Sequence, residues 1–348
     1  MPLTIFTSPR FADHLTPPGH PERVERFGVM QQVASEFRRD GGEVREPRPA
    51  AVEELTRVHD AEYVGLVRET AGRAVMLDAD TFTSPDSYDV ACLAAGAGVS
   101  AVDHVLDSGE DARALALVRP PGHHAERNRA MGFCLFNTVA VAAAHARARG
   151  LSRVAIVDYD VHHGNGTQWS FYSDPSVLFI SSHQFPYYPG TGGPSEIGTA
   201  AGEGFTVNLP LPAGATDADY EEVYERIAWP ILLQFAPELI LLSAGFDAYE
   251  NDPLGGMRVT VDGFAGLTSA LVDVARKTCG GRIVGVVEGG YDLEGLGECL
   301  RGAVRALAAA EGDGSTPQRA AARTSAATSR ADATLAAVTP HLSRYWTL

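Results

Sequence analysis

Short apolar runs rich in valine, isoleucine and leucine alternate along this chain with longer amphipathic segments. Several runs are apolar at every position, which is typical of strands buried on both faces of a parallel sheet. The predicted strands are Leu3–Thr7, Ala114–Val118, Val154–Tyr159, Val177–Ser181, Phe205–Leu209, Leu239–Ala244 and Ile283–Val287. The predicted helices cover 22–38, 86–108, 137–149, 217–234, 262–276 and 293–310. This alternation predicts a three-layer α/β fold, with helices on both faces of a mostly parallel sheet and right-handed crossovers.

The same alternation continues through most of the 348 residues, so we expect one domain spanning 1–348. Its core covers about 1–310, and the polar, low-complexity segment 311–328 predicts a connector to a C-terminal helix. A segment rich in glycine and proline, 185–204, predicts a long ordered loop. Long loops inside compact domains are usually functional. The sequence leaves open whether this loop closes a binding site or contacts another subunit.

The formal net charge of −16 argues against nucleic-acid binding, which needs a basic surface. An acidic surface is compatible with a cationic substrate, although solubility alone explains it equally well. We find no secretory leader and no apolar stretch of the ~18 residues that a membrane span needs. The four cysteines are far apart and predict reduced thiols. We therefore expect a soluble, cytoplasmic protein without a membrane partner.

Unusual polar residues follow four of the predicted strands. "RPPGHH" follows one strand and brings His123 and His124, and "DYDVHHGNGTQ" accompanies another. "GFDAYENDPLGG" and "EGGYDL" follow two more strands. Ligands of open α/β sheets bind at the carboxyl ends of the strands. The sequence therefore predicts that these residues meet in one cleft.

A metal site is the first chemistry that this cleft predicts. Side chains two residues apart in an extended segment point the same way, so Asp158, Asp160 and His162 share one side. Asp160 and His162 could bind one metal ion, and Asp247 from another strand end could complete the site. Catalytic zinc usually has three protein ligands and one open position. An isolated Asp-x-His is more often a structural cap, but the other strand ends favour the metal.

Proton transfer is the second kind of chemistry that this cleft predicts. The adjacent His123 and His124 need groups that orient them, and Asp158 and Asn165 are the candidates. A carboxylate raises the pKa of a histidine more than an amide does, so one ring can act as acid and the other as base. Tyr291, after a flexible Gly-Gly pair, could donate its hydroxyl to a developing oxyanion. The alternatives are a histidine-rich surface loop and a tyrosine that only fills the core.

Taken together, the motifs resemble the histone deacetylase family, including bacterial deacetylase-like amidohydrolases and acetylpolyamine amidohydrolases. The resemblance covers roughly residues 13–310. It rests on an ordered series: "PPGHPERVERF", "RPPGHHA", "GFCLFN", "DYDVHHGNGTQ", "PGTGG", "GFDAYENDPLGG" and "EGGY". It implies an arginase/deacetylase-like fold.

The resemblance also implies roles for individual residues. Zinc would be bound by Asp160, His162 and Asp247. The proton-handling and oxyanion groups would be His123, His124, Asp158, Asn165 and Tyr291, with asparagine at 165 as in class II members. A substrate tunnel would be lined by Gly132, Phe133, Tyr188 and Leu254, where Tyr188 replaces the usual phenylalanine. Structural potassium would be bound by Asp158, Asp160, His162 and Ser181.

We predict from these features a zinc-dependent amidohydrolase that removes an acetyl group from acetyl-lysine in proteins or from a small acetylated amine. An acetylpolyamine amidohydrolase is the alternative within the same chemistry. A two-manganese ureohydrolase-like enzyme would need further carboxylates, and a non-catalytic reader of acyl-lysine would not need His123, His124 and Tyr291. Asp/His ligation also suits Fe²⁺. A homo-oligomer is compatible with the sequence.

Overall fold

Eight parallel strands form the central sheet of the computed structural model, which describes residues 2–310 and 329–348. The strands of the described chain are β1 Leu3–Phe6, β2 Glu43–Arg45, β3 Val75–Met76, β4 Phe82–Thr83, β5 Arg113–Ala116, β6 Val154–Asp158, β7 Val177–Gln184, β8 Thr206–Leu211, β9 Leu239–Ala244 and β10 Ile283–Val287. The sheet order is β2-β1-β5-β10-β9-β6-β7-β8, and β3 and β4 form a separate antiparallel hairpin. Every pairing within the large sheet is parallel, as the apolar runs predict.

Helices cover both faces of this sheet. They are α1 Glu25–Arg39, α2 Val52–Leu55, α3 Ala61–Arg68, α4 Ser87–Ser108, α5 Thr138–Ala148, α6 Asn165–Phe171, α7 Asp217–Val223, α8 Trp229–Phe235, α9 Val261–Cys279, α10 Leu293–Ala308 and α11 Ser329–Leu342. Alternate residues of β5 point to opposite faces: Leu115 packs with α9 and α10, whereas Ala114 and Ala116 pack with α4 and α5. The predicted three-layer α/β architecture is therefore confirmed.

The seven predicted strands all lie in the central sheet, and Leu239–Ala244 and Ile283–Val287 have the predicted bounds. Strand β7 runs past the predicted Ser181 to Gln184 because Gln184 still pairs with Leu211 of β8. The helix predicted at 217–234 is divided, because a π-helical turn, Tyr224–Ala228, separates α7 from α8.

Sequence periodicity does not identify β2, the β3–β4 hairpin, α2, α3 or α6, since each is too short to show it. Strand β2 also lies at the sheet edge and carries the charged residues Glu43 and Arg45. The predicted C-terminal helix is α11, and the predicted connector 311–328 lies outside the described residues.

Helix α4 corrects the expectation that no stretch of the chain is long and apolar enough to span a membrane. In the described ranges it is the one helix that is long and apolar enough, by length and composition, to cross a membrane. Of its apolar window, 72% is buried inside the fold. Residues such as Leu93, Ala97 and Val105 pack there against α5 and the sheet, which explains the apolar composition as that of a core helix.

The order of the sheet determines where the polar strand ends meet. Strands β5, β10, β9 and β6 are neighbours and run in the same direction, so their carboxyl ends share one edge. The segments after these strands carry the histidine pair, Tyr291, Asp247 and the Asp-x-Asp-x-His series.

Candidate active site

Three potential metal ligands meet at the ends of β6 and β9. The Nδ1 atom of His162 lies 3.2 Å from Asp160 Oδ1 and 3.1 Å from Asp247 Oδ2. One donor atom from each residue lies within 4.8 Å of the other two, and all three residues are buried. The three ligands predicted from the sequence are thus brought together.

Backbone amides hold the two carboxylates in place. Asp160 accepts hydrogen bonds from the N–H groups of His162 (2.9 Å, at Oδ1) and Gly289 (2.8 Å, at Oδ2). Asp247 Oδ1 accepts one from Val161, at 2.8 Å. A Cβ atom at position 289 would collide with both carboxylates, so glycine lets the end of β10 approach the site.

The charges of this trio fit a cation. Burial and repulsion from Asp160 raise the pKa of Asp247 to about 7. Although burial opposes it, the carboxylates of Asp160 and Asp247 raise the pKa of His162 well above its ordinary value. Within residues 2–310 and 329–348, neither carboxylate forms an ion pair with lysine or arginine. When His162 is neutral, as a metal ligand must be, it no longer supplies positive charge to these two buried carboxylates, and buried carboxylates without enough counter-charge are costly. A divalent cation between Asp160, His162 and Asp247 would supply that charge, and the donor set suits zinc.

The two adjacent histidines have different partners. His123 Nδ1 lies 3.0 Å from Asp158 Oδ2, and His124 Nδ1 lies 2.7 Å from Asn165 Oδ1. The two imidazole centroids are 4.0 Å apart. Asp158 and Asn165 are therefore placed to orient the rings as the sequence predicts.

These partners give the two imidazoles different pKa values. Although burial opposes the charge, the Asp160 and Asp158 carboxylates raise the pKa of His123 to about 10. Burial and the nearby His123 and His162 lower the pKa of His124 well below its ordinary value. A cation bound to Asp160 would offset that carboxylate's effect on His123 but not the effect of Asp158. The two rings are therefore shifted in opposite directions, His124 towards the neutral form that can accept a proton and His123 towards the charged form.

Glu288, at the end of β10, fixes the segment that carries the histidines. Its Oε2 accepts hydrogen bonds from the N–H groups of Gly122, at 2.6 Å, and His123, at 3.1 Å. The side chain is completely buried, which raises its pKa to about 7. Sequence reasoning missed this role, although Glu288 is the first residue of the "EGGY" motif and directly follows a predicted strand.

Tyr291 lies on the turn after β10. Its ring packs edge-on against Phe133, with centroids 5.8 Å apart, and the Arg26 guanidinium lies 4.9 Å from its centroid. Arg26 also donates to the carbonyl oxygens of Gly290 (2.7 Å) and Glu288 (2.5 Å). Burial raises the pKa of the Tyr291 hydroxyl well above its ordinary value, so the hydroxyl stays protonated and can donate.

Gly132 and Phe133 both adopt left-handed backbone conformations, with φ of 56° and 68°. Such a conformation is unfavourable for phenylalanine, and a hydrogen bond from its N–H to Thr81 Oγ1, at 3.1 Å, helps to hold it. A Cβ atom at position 132 would collide with the His124 ring. The Phe133 ring packs edge-on against His20, with centroids 4.7 Å apart, as well as against Tyr291.

Two consecutive tyrosines, Tyr187 and Tyr188, pack against histidines of the site. Tyr188 contacts the His124 ring edge-on, with centroids 5.1 Å apart, and remains 37% exposed. Tyr187 stacks on His162, with centroids 5.7 Å apart and an interplanar angle of 18°. The sequence singled out Tyr188 but not Tyr187. The remaining predicted tunnel residue, Leu254, is partly exposed, and its N–H donates to Asp252 Oδ1 at 2.9 Å.

The loop 185–204 is fastened to the same elements. Glu196 accepts hydrogen bonds from the Gly192 N–H, at 3.1 Å, and the Gln168 side chain, at 2.6 Å. His163 lies next to the ligand His162, and its ring nitrogens lie 2.7 Å from Thr191 Oγ1 and 3.0 Å from Gln168 Oε1. These contacts attach the loop to α6 and to the end of β6, so it belongs to the wall of the site.

The predicted potassium ligands also lie together. Ser181 is the Cα partner of Asp158 in the pairing of β6 with β7, and both side chains are completely buried. Asp160 and His162 follow on the same strand end. The Ser181 hydroxyl is 3.0 Å from His183 Nδ1, and Asp158 Oδ1 accepts the N–H of Asp160 at 3.1 Å. Buried oxygen atoms of this kind suit a hard cation.

A buried cluster of charged side chains holds Arg26, which binds the Tyr291 turn. Both carboxylate oxygens of Glu22 receive hydrogen bonds from Arg119, at 2.6 and 2.7 Å. Arg26 donates to Glu22 at 3.1 Å, and all three side chains are completely buried. Two of these residues lie in the "PPGHPERVERF" motif, but nothing local in the sequence indicates that Arg119 pairs with them.

Comparisons with known proteins find both similar sequences and a similar overall fold. The model of the histone deacetylase domain matches residues 19–307. A probable deacetylase of Archaeoglobus fulgidus is 42% identical over 82% of this chain and 80% of its own length. Human polyamine deacetylase HDAC10 is 43% identical over 82% of this chain, which spans 44% of that longer protein. The crystal structure of the HDA15 HD domain superposes with a TM-score of 0.90 and 34% identity, covering 99% of this chain and 95% of that one.

Proposed function

The chain belongs to the histone deacetylase family, and we propose that it is a zinc-dependent enzyme that hydrolyses the amide bond of an acetylated amine. One geometric observation carries the proposal: three buried side chains that could hold a cation lie beside the His123–His124 pair and the glycine turn that leads to Tyr291. These are the groups that amide hydrolysis needs, namely an activator of water, a base, an acid and an oxyanion donor.

In the proposed mechanism, Asp160, His162 and Asp247 would hold a divalent cation, which would supply Lewis-acid polarisation of the acetyl carbonyl and of a water molecule. His124 accepts a proton from the water as its oxygen bonds to the acetyl carbon. The Tyr291 hydroxyl donates to the oxyanion that forms. The carbon–nitrogen bond then breaks, the amine leaves with a proton from a histidine, and acetate remains. Zinc is the proposed ion, and the potassium site at Asp158 and Ser181 would stabilise the strand end beneath it.

The first candidate substrate is acetyl-lysine. The Asp252 carboxylate accepts hydrogen bonds from the backbone N–H groups of both Leu254 and Tyr291. The apolar residue Leu254 therefore lies beside the turn that carries Tyr291. An apolar side chain there can pack against the aliphatic part of a lysine side chain. Because it carries no negative charge, it offers no partner for the further ammonium group of a polyamine.

The second candidate is a small acetylated polyamine. Asp78 and Asp80 are partly buried on the β3–β4 hairpin. Burial, and then the charges of these two carboxylates, raise the pKa of Tyr188 well above its ordinary value. They thus lie near the tyrosine that covers His124. A substrate carrying further ammonium groups would be attracted to this side of the site.

The two candidates are separated by acetate release from an acetyl-lysine peptide and from an acetylated polyamine, with the zinc-loaded protein. We expect the peptide to have the larger kcat/KM. The Tyr291→Phe variant is the matched control, because it keeps the ring and removes the hydroxyl. Its kcat should fall by about 10²–10³-fold on either substrate. Near-wild-type turnover in Tyr291→Phe would show that the tyrosine hydroxyl has no part in the mechanism. A larger kcat/KM for the polyamine would show that a polyamine, and not acetyl-lysine, is the preferred substrate.

We also propose that the protein acts in the cytoplasm. All four cysteines are buried and unpaired, which fits a reducing compartment. The net charge of −16 makes nucleic acid an unfavourable partner.

A further inference from the structure

The carboxylate of Asp252 joins two segments of the site that are distant in the sequence. Its Oδ2 accepts hydrogen bonds from the backbone N–H groups of Tyr291, at 2.6 Å, and Asp292, at 3.0 Å. Its Oδ1 accepts one from Leu254, at 2.9 Å. The side chain is 6% exposed, so these bonds are shielded from water.

The turn that Asp252 holds has little stiffness of its own. Gly289 and Gly290 precede Tyr291, and Gly290 has a φ of 118°, a conformation that L side chains rarely adopt. Arg26 binds the carbonyl oxygens on one side of this turn. Asp252 binds the N–H groups on the other side, at Tyr291 itself.

We propose that Asp252 is a positioning residue that sets where the Tyr291 hydroxyl stands over the reacting carbonyl, and that it couples this position to the Leu254 segment. The inference rests on the proposed function. Asp252 acts through the backbone of Tyr291 and touches no reacting atom. Because a displacement of about 1 Å in a catalytic group can cost about 10²-fold in rate, a carboxylate bonded to this backbone can control turnover.

The geometry requires both oxygens of a carboxylate. In Asp252→Asn, the single amide oxygen can serve either the Tyr291–Asp292 pair or Leu254, and the amide NH₂ then opposes an N–H donor. The two segments therefore compete for one acceptor. The side-chain volume is almost unchanged, so the variant tests hydrogen bonding rather than packing.

The experiment is a double-mutant cycle in kcat with the full-length, zinc-loaded protein. Asp252→Asn is measured with tyrosine and with phenylalanine at position 291. We expect a loss of about 10- to 100-fold with tyrosine. With phenylalanine we expect a further loss of less than about threefold, because no hydroxyl remains to be misplaced. The matched control is Asp262→Asn, which makes the same chemical change at an exposed residue of α9 and should leave kcat unchanged.

If Asp252 had only a structural role, Asp252→Asn would lower kcat by the same factor with tyrosine and with phenylalanine at position 291. If Asp252 had no role, Asp252→Asn would leave kcat unchanged with tyrosine. Either result overturns the inference. If Asp252→Asn does not fold, Asp252→Glu is put through the same cycle. Asp252→Glu keeps the charge but moves the carboxylate oxygens. The same losses in kcat are expected for it, and the same two results would overturn the inference. Hydrogen exchange of peptides covering 289–292 should be faster in either variant than in Asp262→Asn, and this readout needs no activity. A wild-type protein that releases no acetate would instead contradict the proposed function.

Discussion

Replacing His124 with alanine is expected to lower kcat by about 10²–10⁴-fold, the contribution of a positioned general base. Burial and the neighbouring His123 and His162 lower the pKa of His124 well below its ordinary value, so the ring is neutral at pH 7 and can accept a proton. Its Nδ1 faces Asn165 at 2.7 Å, which leaves Nε2 for water. Acetate release at saturating substrate measures the loss.

The matched control is His104→Ala, a partly exposed histidine on α4 that has no contact with the site. His124→Ala should retain bound zinc, since His124 is not one of the three predicted ligands. The pH profile provides a second check. Because the pKa of His124 is lowered, protonation of this base should reduce wild-type activity only below pH 6.5, and an acidic limb of the profile due to His124 should lie there. Wild-type turnover in His124→Ala would exclude it as the base.

Replacing Glu22 with alanine should reduce the free energy of unfolding by about 3–5 kcal/mol, the usual cost of removing one partner from a buried ion pair. The change leaves the guanidinium groups of Arg119 and Arg26 buried without a counter-charge. Urea denaturation at pH 7 measures the loss. Glu25→Ala is the control, since Glu25 is close to Glu22 in the sequence but is exposed, at the start of α1.

The same cluster predicts a dependence of stability on pH. Although burial opposes it, Arg119 and His14 lower the pKa of Glu22 to about 2, and Arg26 adds to this. A lowered folded-state pKa means that the stabilisation is complete above the unfolded value of about 4.5 and is lost as the pH falls towards about 2. The stability difference between wild type and Glu22→Ala should therefore shrink between pH 5 and pH 2. A constant difference over that range would contradict the ionised cluster.

The sequence predicts seven of the eight strands of the central sheet because these seven contain apolar runs, and it predicts the convergence of the site because polar residues follow four of those runs. Asp160 and His162 could be paired from their spacing alone. Asp247 could be added because parallel strands end at one edge. The resemblance to the family then implied the roles of Phe133 and Tyr188, which no spacing indicates.

Contacts between distant segments could not be predicted in this way. Asp252 binds the backbone of Tyr291, and Glu22 binds Arg119, yet nothing in the local pattern marks either pair. The side chains that support the site are buried polar groups whose partners depend on the folded chain. Short elements such as β2 and α6 also carry too few residues to show a period.

Acetate release before and after removal of the metal tests the central claim most directly. The purified protein is stripped with a chelator, dialysed, and assayed on an acetyl-lysine peptide with and without added zinc. We predict that the stripped protein is folded but inactive, and that zinc restores turnover. An Asp247→Asn variant, which loses one ligand charge, should bind zinc more weakly and recover less activity. Equal turnover with and without metal, or no acetate release by the folded, zinc-loaded protein from either the peptide or an acetylated polyamine, would contradict the account.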